Sequence, residues 1–277
     1  MVRRGLLASV GPWSPGLVPA LLVGVAAVLA LPFRLVWAGW AVLALAVGIA
    51  WWLDRLGRTT RLGRDITVIA VGLAIVSSVS VAADISWGNY FRLGGVFAAA
   101  VMVPYLLSRY LFDDDEVRFP WRGRWPWSRL QWGYIGVVIV AGYLLLPFYF
   151  ISSGVWENWP AVHEWHEVAR LFVGVNVVGT WDELFFICTV FALYLRHFPM
   201  WQANTLQAMV FIPFLWELGY QAWGPALTIP FALLQGWLFR RTRALAYVVT
   251  VHLLFDLVVF GVIVHARNPG TIPIFLL

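Results

Sequence analysis

Charge is scarce in this sequence: 12% of its 277 residues are Asp, Glu, Lys or Arg, while 61% are hydrophobic. A soluble chain carries about 25% charged residues, so this one has too few to coat a water-exposed globule of its size. Cysteine is almost missing too. The single Cys188 excludes an internal disulfide and every multi-cysteine metal motif, and it says nothing about redox compartment. Internal repeats and low-complexity segments are absent. The net charge of +5 and pI ≈ 9.7 do not point to nucleic acid, because the arginines sit in short connections between apolar runs. That placement is a topology signal, and no nucleic-acid partner is expected.

What is abundant is apolar length. With a mean hydropathy of +0.79 the chain reads as a polytopic membrane protein. Runs long enough to span a bilayer, which takes about 20 residues, lie near 16–32, 36–53, 66–84, 93–111, 133–151, 172–195, 203–220, 224–240 and 244–264. The expected fold is therefore all-α, an integral membrane bundle of about eight to nine transmembrane helices. The sequence holds 18 Trp and 9 Tyr. Several tryptophans (Trp37, Trp51, Trp52, Trp87, Trp132, Trp201, Trp223) fall near the ends of apolar runs, where amphipathic rings anchor at the headgroups. The first run follows Arg3 and Arg4 and reads as an uncleaved anchor, since a second run follows at once without a polar cleavage region.

Arginines occupy alternate connections: Arg3 and Arg4; Arg55, Arg58, Arg61 and Arg64; Arg109, Arg118, Arg122, Arg124 and Arg129; Arg196; Arg240, Arg241 and Arg243. The positive-inside rule makes those connections cytoplasmic, with the N-terminus inside and the C-terminus outside. The connection "FDDDEVRFPWRGRWPWSRLQW" reads as a segment lying on cytoplasmic headgroups rather than an acidic metal site. On the other side, "ENWPAVHEWHEVAR" is expected to start a short helix at Pro160. His163, His166, Glu167 and Arg170 share one face there by three- and four-residue spacing, as an outward amphipathic turn rather than a metal site.

Ionisable residues away from span ends are confined to the last four runs: Asp182, Glu183, Glu217, His252 and Asp256. Each costs at least about 2.5 kcal/mol to place in hydrocarbon, so their clustering argues for a shared polar cavity, or else for a structural hydrogen-bond cluster between helices. At about 1.5 Å per residue, Glu183, Glu217 and His252 lie roughly 18, 21 and 12 Å from the cytoplasmic ends of their helices, close enough to share a layer. His252 and Asp256, four apart, face the same way. Asp182 and Glu183 are turned about 100° from each other on an α-helix, so one is expected to point into the site while the other supports it or faces another helix. A buried carboxylate beside a histidine suits general-base activation of water, and also suits a proton relay in a transporter.

"WDELFFICTVFALYLRHFP" resembles the first motif, Glu-Glu-x-x-x-Arg, of the CAAX protease and bacteriocin-processing (CPBP) family of intramembrane proteases. "FALLQGWLFRRTRALAYVVTVHLLFD" resembles that family's last region: a glycine-bearing helix with Gly236, the turn Arg240-Arg241-Thr242, then His-x-x-x-Asn/Asp at His252 and Asp256. The resemblance covers roughly 172–264. It implies that Asp182 stands at the glutamate that activates water and Glu183 at the second glutamate. Two positions depart from the family: Ile187 replaces the arginine that would pair with Glu183, and Glu217, with Pro213 before it, stands where Phe-x-x-x-His is expected.

The resemblance implies an intramembrane endopeptidase that hydrolyses a peptide bond of a membrane-associated or lipidated substrate with a carboxylate-activated water. Its expected groups are Asp182 or Glu183 as base, His252 as water or oxyanion partner, Asp256 as orienter and Glu217 as a third-helix group. A divalent metal such as zinc would be held by Glu183, Glu217, His252 and Asp256; the family is described both with metal and without. A catalytically inactive scaffold and a proton-coupled transporter are the alternatives. Residues 1–152 read as a scaffold of N-terminal helices and 153–277 as the core carrying the site. Membrane lipid and a protein or peptide substrate are the expected partners, in a bacterial or archaeal cytoplasmic membrane.

Overall fold

The computed structural model describes residues 14–123, 126–269 and 274–275. Arg3, Arg4 and Arg124, used in the topology reading, lie outside the described residues. Among the described residues there are nine helices and no strand: α1 Leu17–Ala30, α2 Val36–Arg55, α3 Leu62–Ser77, α4 Trp87–Leu111, α5 Arg129–Ser153, α6 Trp165–Tyr194, α7 Met200–Leu218, α8 Pro225–Thr242 and α9 Leu245–Arg267. Each coincides with one of the nine apolar runs. The chain is a polytopic helical membrane bundle. By length and composition α2, α4, α5, α6 and α9 are long and apolar enough to cross a bilayer, while α1 and α3 are shorter and α7 and α8 more polar.

The polarity of α7 has a structural cause. Asn204 donates to the Leu233 carbonyl (2.8 Å), and Gln207 donates to the Ala232 carbonyl (2.8 Å) and to Asn204 Oδ1 (3.2 Å), so buried amides fasten α7 to α8. The helices approach so closely there that a Cβ on Gly236 would lie 2.0 Å from Asn204 Oδ1. Buried side-chain amides that find partners are affordable in hydrocarbon, and they lower hydropathy without exposing the helix. Helices α1 to α4 pack in sequence, α1 also against α7, and α9 against both α5 and α6.

Two boundaries and the setting of one tryptophan differ from the expected ones. Helix α6 starts at Trp165 and runs on into the membrane, so no separate helix begins at Pro160. Its first turn is held by Glu167, whose Oε2 accepts from the backbone N–H of His163 (2.9 Å) and Glu164 (3.2 Å), satisfying donors a helix start leaves open. Arg170 lies over the Trp87 ring at 4.9 Å, so the His163–Arg170 stretch is spent on capping and packing. Helix α3 ends at Ser77, short of residue 84, and a loop follows. Trp51 does not lie out at the headgroups like Trp37 or Trp201: its Nε1 donates to Thr67 Oγ1 (3.0 Å) and its ring packs on Gly63.

The bundle has two polar ends. At one, Arg196 bridges Asp65 (3.2 Å) and Asp114 (2.7 Å), Arg61 reaches Asp114 (3.6 Å), and His197 Nε2 lies 2.6 Å from Asp65 Oδ2. Leu245 N–H bonds the Pro120 carbonyl at the same end, which gathers four arginine-bearing connections together. Of the acidic cluster in the 113–132 connection, Asp114 is thereby committed to ion pairs, and Asp115 pairs with Arg109 (3.8 Å) and Arg118. Burial works against the Asp114 carboxylate, but the hydrogen bond and charge of Arg196, with help from the Glu116 N–H and Arg61, hold its pKa below the usual value of 3.8. A depressed carboxylate contributes stability that is present above its unfolded-state pKa and lost as pH falls through the folded one. Asp114→Asn is therefore expected to lower thermal stability in detergent at neutral pH by about 1 kcal/mol and to flatten the loss of stability below about pH 4. Melting curves across pH check both effects.

Candidate active site

Helix α6 carries the acid pair, and its winding changes at that point. The α-helical part ends at Asp182, and Glu183–Phe191 continue as a π-helix, with Thr189 Oγ1 bonding back five residues to the Leu184 carbonyl (3.1 Å). Such wide turns inside α-helices occur frequently at functional sites. Asp182, Glu183, His252 and Asp256 are all buried, and α9 brings the last two against α6.

The four meet around one imidazole. Glu183 Oε1 lies 2.7 Å from His252 Nδ1. On the opposite edge of the ring, His252 Nε2 lies 3.7 Å from Asp182 Oδ2 and 3.8 Å from Asp256 Oδ1. The first is a direct hydrogen bond; the other two are too long for one. Both acids of the pair therefore reach the same imidazole, Glu183 on Nδ1 and Asp182 on the Nε2 side. The winding widens into a π-helix at Glu183, and the ring's two nitrogens offer the neighbouring acids separate edges. The same arrangement gives Glu183 partners in place of the arginine that Ile187 removes.

Two contributors went unread in the sequence. Gln235 of α8 donates to Glu183 Oε1 at 2.6 Å, so the carboxylate that holds the imidazole is itself held. Its signal was an amide inside the apolar run "FALLQGWLF". Gly179, one turn before Asp182, lets α9 close in: a Cβ there would lie 1.9 Å from Asp256 Oδ2 and 3.2 Å from His252 Cδ2. Aromatic rings wall the cluster. Phe231 meets His252 edge-on with centroids 4.8 Å apart, and Trp181 stacks on Phe97 at 4.5 Å while its Nε1 donates to the Phe97 carbonyl (2.7 Å).

Glu217 is not brought to this cluster. Its carboxylate takes Arg34 (3.1 Å), the Ser80 hydroxyl (3.1 Å) and the Val81 N–H (3.2 Å) at the arginine-poor end of the bundle. The residues of α7 that face the site are Phe211, with its ring centroid 6.4 Å from that of His252, and Leu215, which lines the space beside His252 and Asp256. Phe211 and Leu215 are four apart on the face that α7 turns to the site, and neither offers an ionisable group. Glu217→Gln is accordingly expected to leave the catalytic rate within about twofold while lowering stability by roughly 1–3 kcal/mol, as loss of a partly buried charged bond does. Paired rate and melting measurements check this.

The proposed quartet of metal ligands does not fit. Glu217 is committed to Arg34, and Nδ1 of His252 to Glu183. Among the described residues no group of three or more His, Cys, Asp or Glu side chains is arranged to hold a metal ion.

Two apolar clefts reach the cluster. One, of about 140 Å³, lies between α4, α6 and the loop after α3; the other, of about 350 Å³, lies between α5, α8 and α9. Leu215, Tyr220, His252 and Asp256 line both.

Residues 164–258 match the family model described as Rce1-like, type II CAAX prenyl endopeptidase, over about a third of the chain. No curated protein and no solved structure matches the chain. The matched segment runs from the capped start of α6 through Asp182, Glu183, His252 and Asp256, and over this third of its length the chain is similar to the type II CAAX prenyl endopeptidases.

Proposed function

We propose that the protein is an intramembrane endopeptidase that hydrolyses a peptide bond of a membrane-associated substrate with a water activated by carboxylate. The observation that carries this reading is the clamped imidazole: Glu183 on Nδ1, with Asp182 and Asp256 both facing Nε2. With Glu183 accepting from Nδ1–H, the imidazole is fixed in orientation, as a carboxylate fixes the base in hydrolytic triads. A water between Nε2 and the two aspartates loses a proton to Asp182 as its oxygen bonds to the scissile carbonyl carbon. The Nε2–H of an imidazolium donates to the oxyanion that forms. When the C–N bond breaks, the proton on Asp182 passes to the leaving nitrogen, and the carboxylate is regenerated.

Relative to the roles expected above, Glu183 becomes the orienting group and Gln235 its support. The second reading, a catalytically silent scaffold, is favoured by one observation: α7 presents Leu215, which has no polar side-chain atom, beside His252 and Asp256. A comparison of protein termini in membranes holding equal folded amounts of wild type or His252→Ala separates the two. Termini present only with the wild type support the protease; identical termini, with the cellular function intact, support the scaffold.

A further inference from the structure

Both clefts lie in the half of the bundle away from the clustered arginines. The first is walled by Ile85 after α3, Leu93 in the opening turns of α4 and Val175 in the first half of α6; the second by Leu145 late in α5, Leu227 early in α8 and Val259 late in α9. No lining residue of either comes from the α2–α3, α4–α5, α6–α7 or α8–α9 connections, which carry the arginines. By the positive-inside rule those connections face the cytoplasm, so both clefts belong to the outer half of the membrane. The wall between them is made of the groups that would do the chemistry, His252 and Asp256, together with Leu215 and Tyr220.

We propose that the substrate is an unwound stretch of an apolar, membrane-embedded peptide that enters from the extracytoplasmic half, its backbone crossing the His252–Asp256 wall with apolar side chains in the cleft on either side. A peptide continues on both sides of the bond that is cut, and two apolar clefts meeting at one polar wall fit that continuation. Unwinding is needed because a backbone amide held in a helix is not open to attack, and the freed backbone groups need polar partners; Tyr220, His252 and Asp256 are the polar residues that line both clefts. The cleavage itself rests on the endopeptidase reading; the side of access does not.

The test uses the full-length protein with Cys188→Ala as background, in sealed right-side-out vesicles. Ile85→Cys, Ala226→Cys and, on the arginine-rich side, Thr60→Cys are exposed to a membrane-impermeant sulfonated maleimide. Labelling of Ile85→Cys and Ala226→Cys several-fold above Thr60→Cys is expected; the reverse order overturns the assigned side. A synthetic Leu/Ala peptide of about 20 residues, with benzoylphenylalanine on each side of its centre, is then photolysed with the wild type, in parallel with a farnesylated tetrapeptide carrying the same group. Adducts of the long peptide within both 85–97 and 226–234 are expected. Adducts in one segment only, or equal labelling of both by the farnesylated probe, overturn the peptide assignment. If both arms succeed and no membrane peptide is cut, access from this side stands while the endopeptidase reading falls.

Discussion

Asp182→Asn is expected to lower kcat/KM by about 10²–10⁴-fold, the range carried by a general base, with KM and folded amount unchanged. The asparagine keeps the shape of the side chain and removes only its capacity to take a proton from water. Glu183→Gln is expected to cost much less, about tenfold, because the amide oxygen can still accept from His252 Nδ1–H and only the charge-assisted part of that bond is lost. The order matters more than either value. A larger loss in Glu183→Gln than in Asp182→Asn would move the proton acceptor to Glu183 and leave Asp182 with a supporting role.

Gly179→Ala is expected to have the second large effect, and to act through packing. The added methyl would sit 1.9 Å from Asp256 Oδ2, a separation no relaxed structure keeps, so Asp256 or the whole face of α9 must move. Overpacking of this kind costs about 1–3 kcal/mol. Since Asp256 Oδ1 faces Nε2 of His252 on the same side as Asp182, activity is expected to fall with stability. Gly136→Ala, on the exposed face of α5 where an added Cβ meets nothing within 4 Å, is the control and is expected to be neutral or slightly stabilising. Melting temperature and rate on the same preparations check the pair. Wild-type activity in Gly179→Ala would mean that Asp256 stands outside the chemistry.

The positions of the helices could be read because a bilayer converts span length directly into a run of apolar residues, and nine runs gave nine helices. His252 and Asp256 could be paired because four-residue spacing fixes a common face on any α-helix. The acid pair was visible as charge where hydrocarbon penalises it, but its geometry was not. The reading assumed α-helical rotation, and Glu183–Phe191 are wound as a π-helix, a choice that no residue in "ELFFICTVF" announces locally. Glu217 misled because depth along a helix was known and its facing was not: the same helix turns Leu215 toward the site and Glu217 toward Arg34. Gln235 and Gly179 were hidden for a related reason, since each matters through a partner more than fifty positions away in sequence, Glu183 for one and Asp256 for the other.

The central claim is that a carboxylate in this cluster activates water to cut a peptide bond. It is tested most directly by reconstituting the wild type and Asp182→Asn in liposomes with a membrane peptide substrate, in water enriched in oxygen-18. The wild type is expected to yield products whose new C-terminal carboxyl carries one heavy oxygen, and Asp182→Asn to yield almost none. Product formed by Asp182→Asn at the wild-type rate, or wild-type product whose new carboxyl carries no heavy oxygen, would contradict the account.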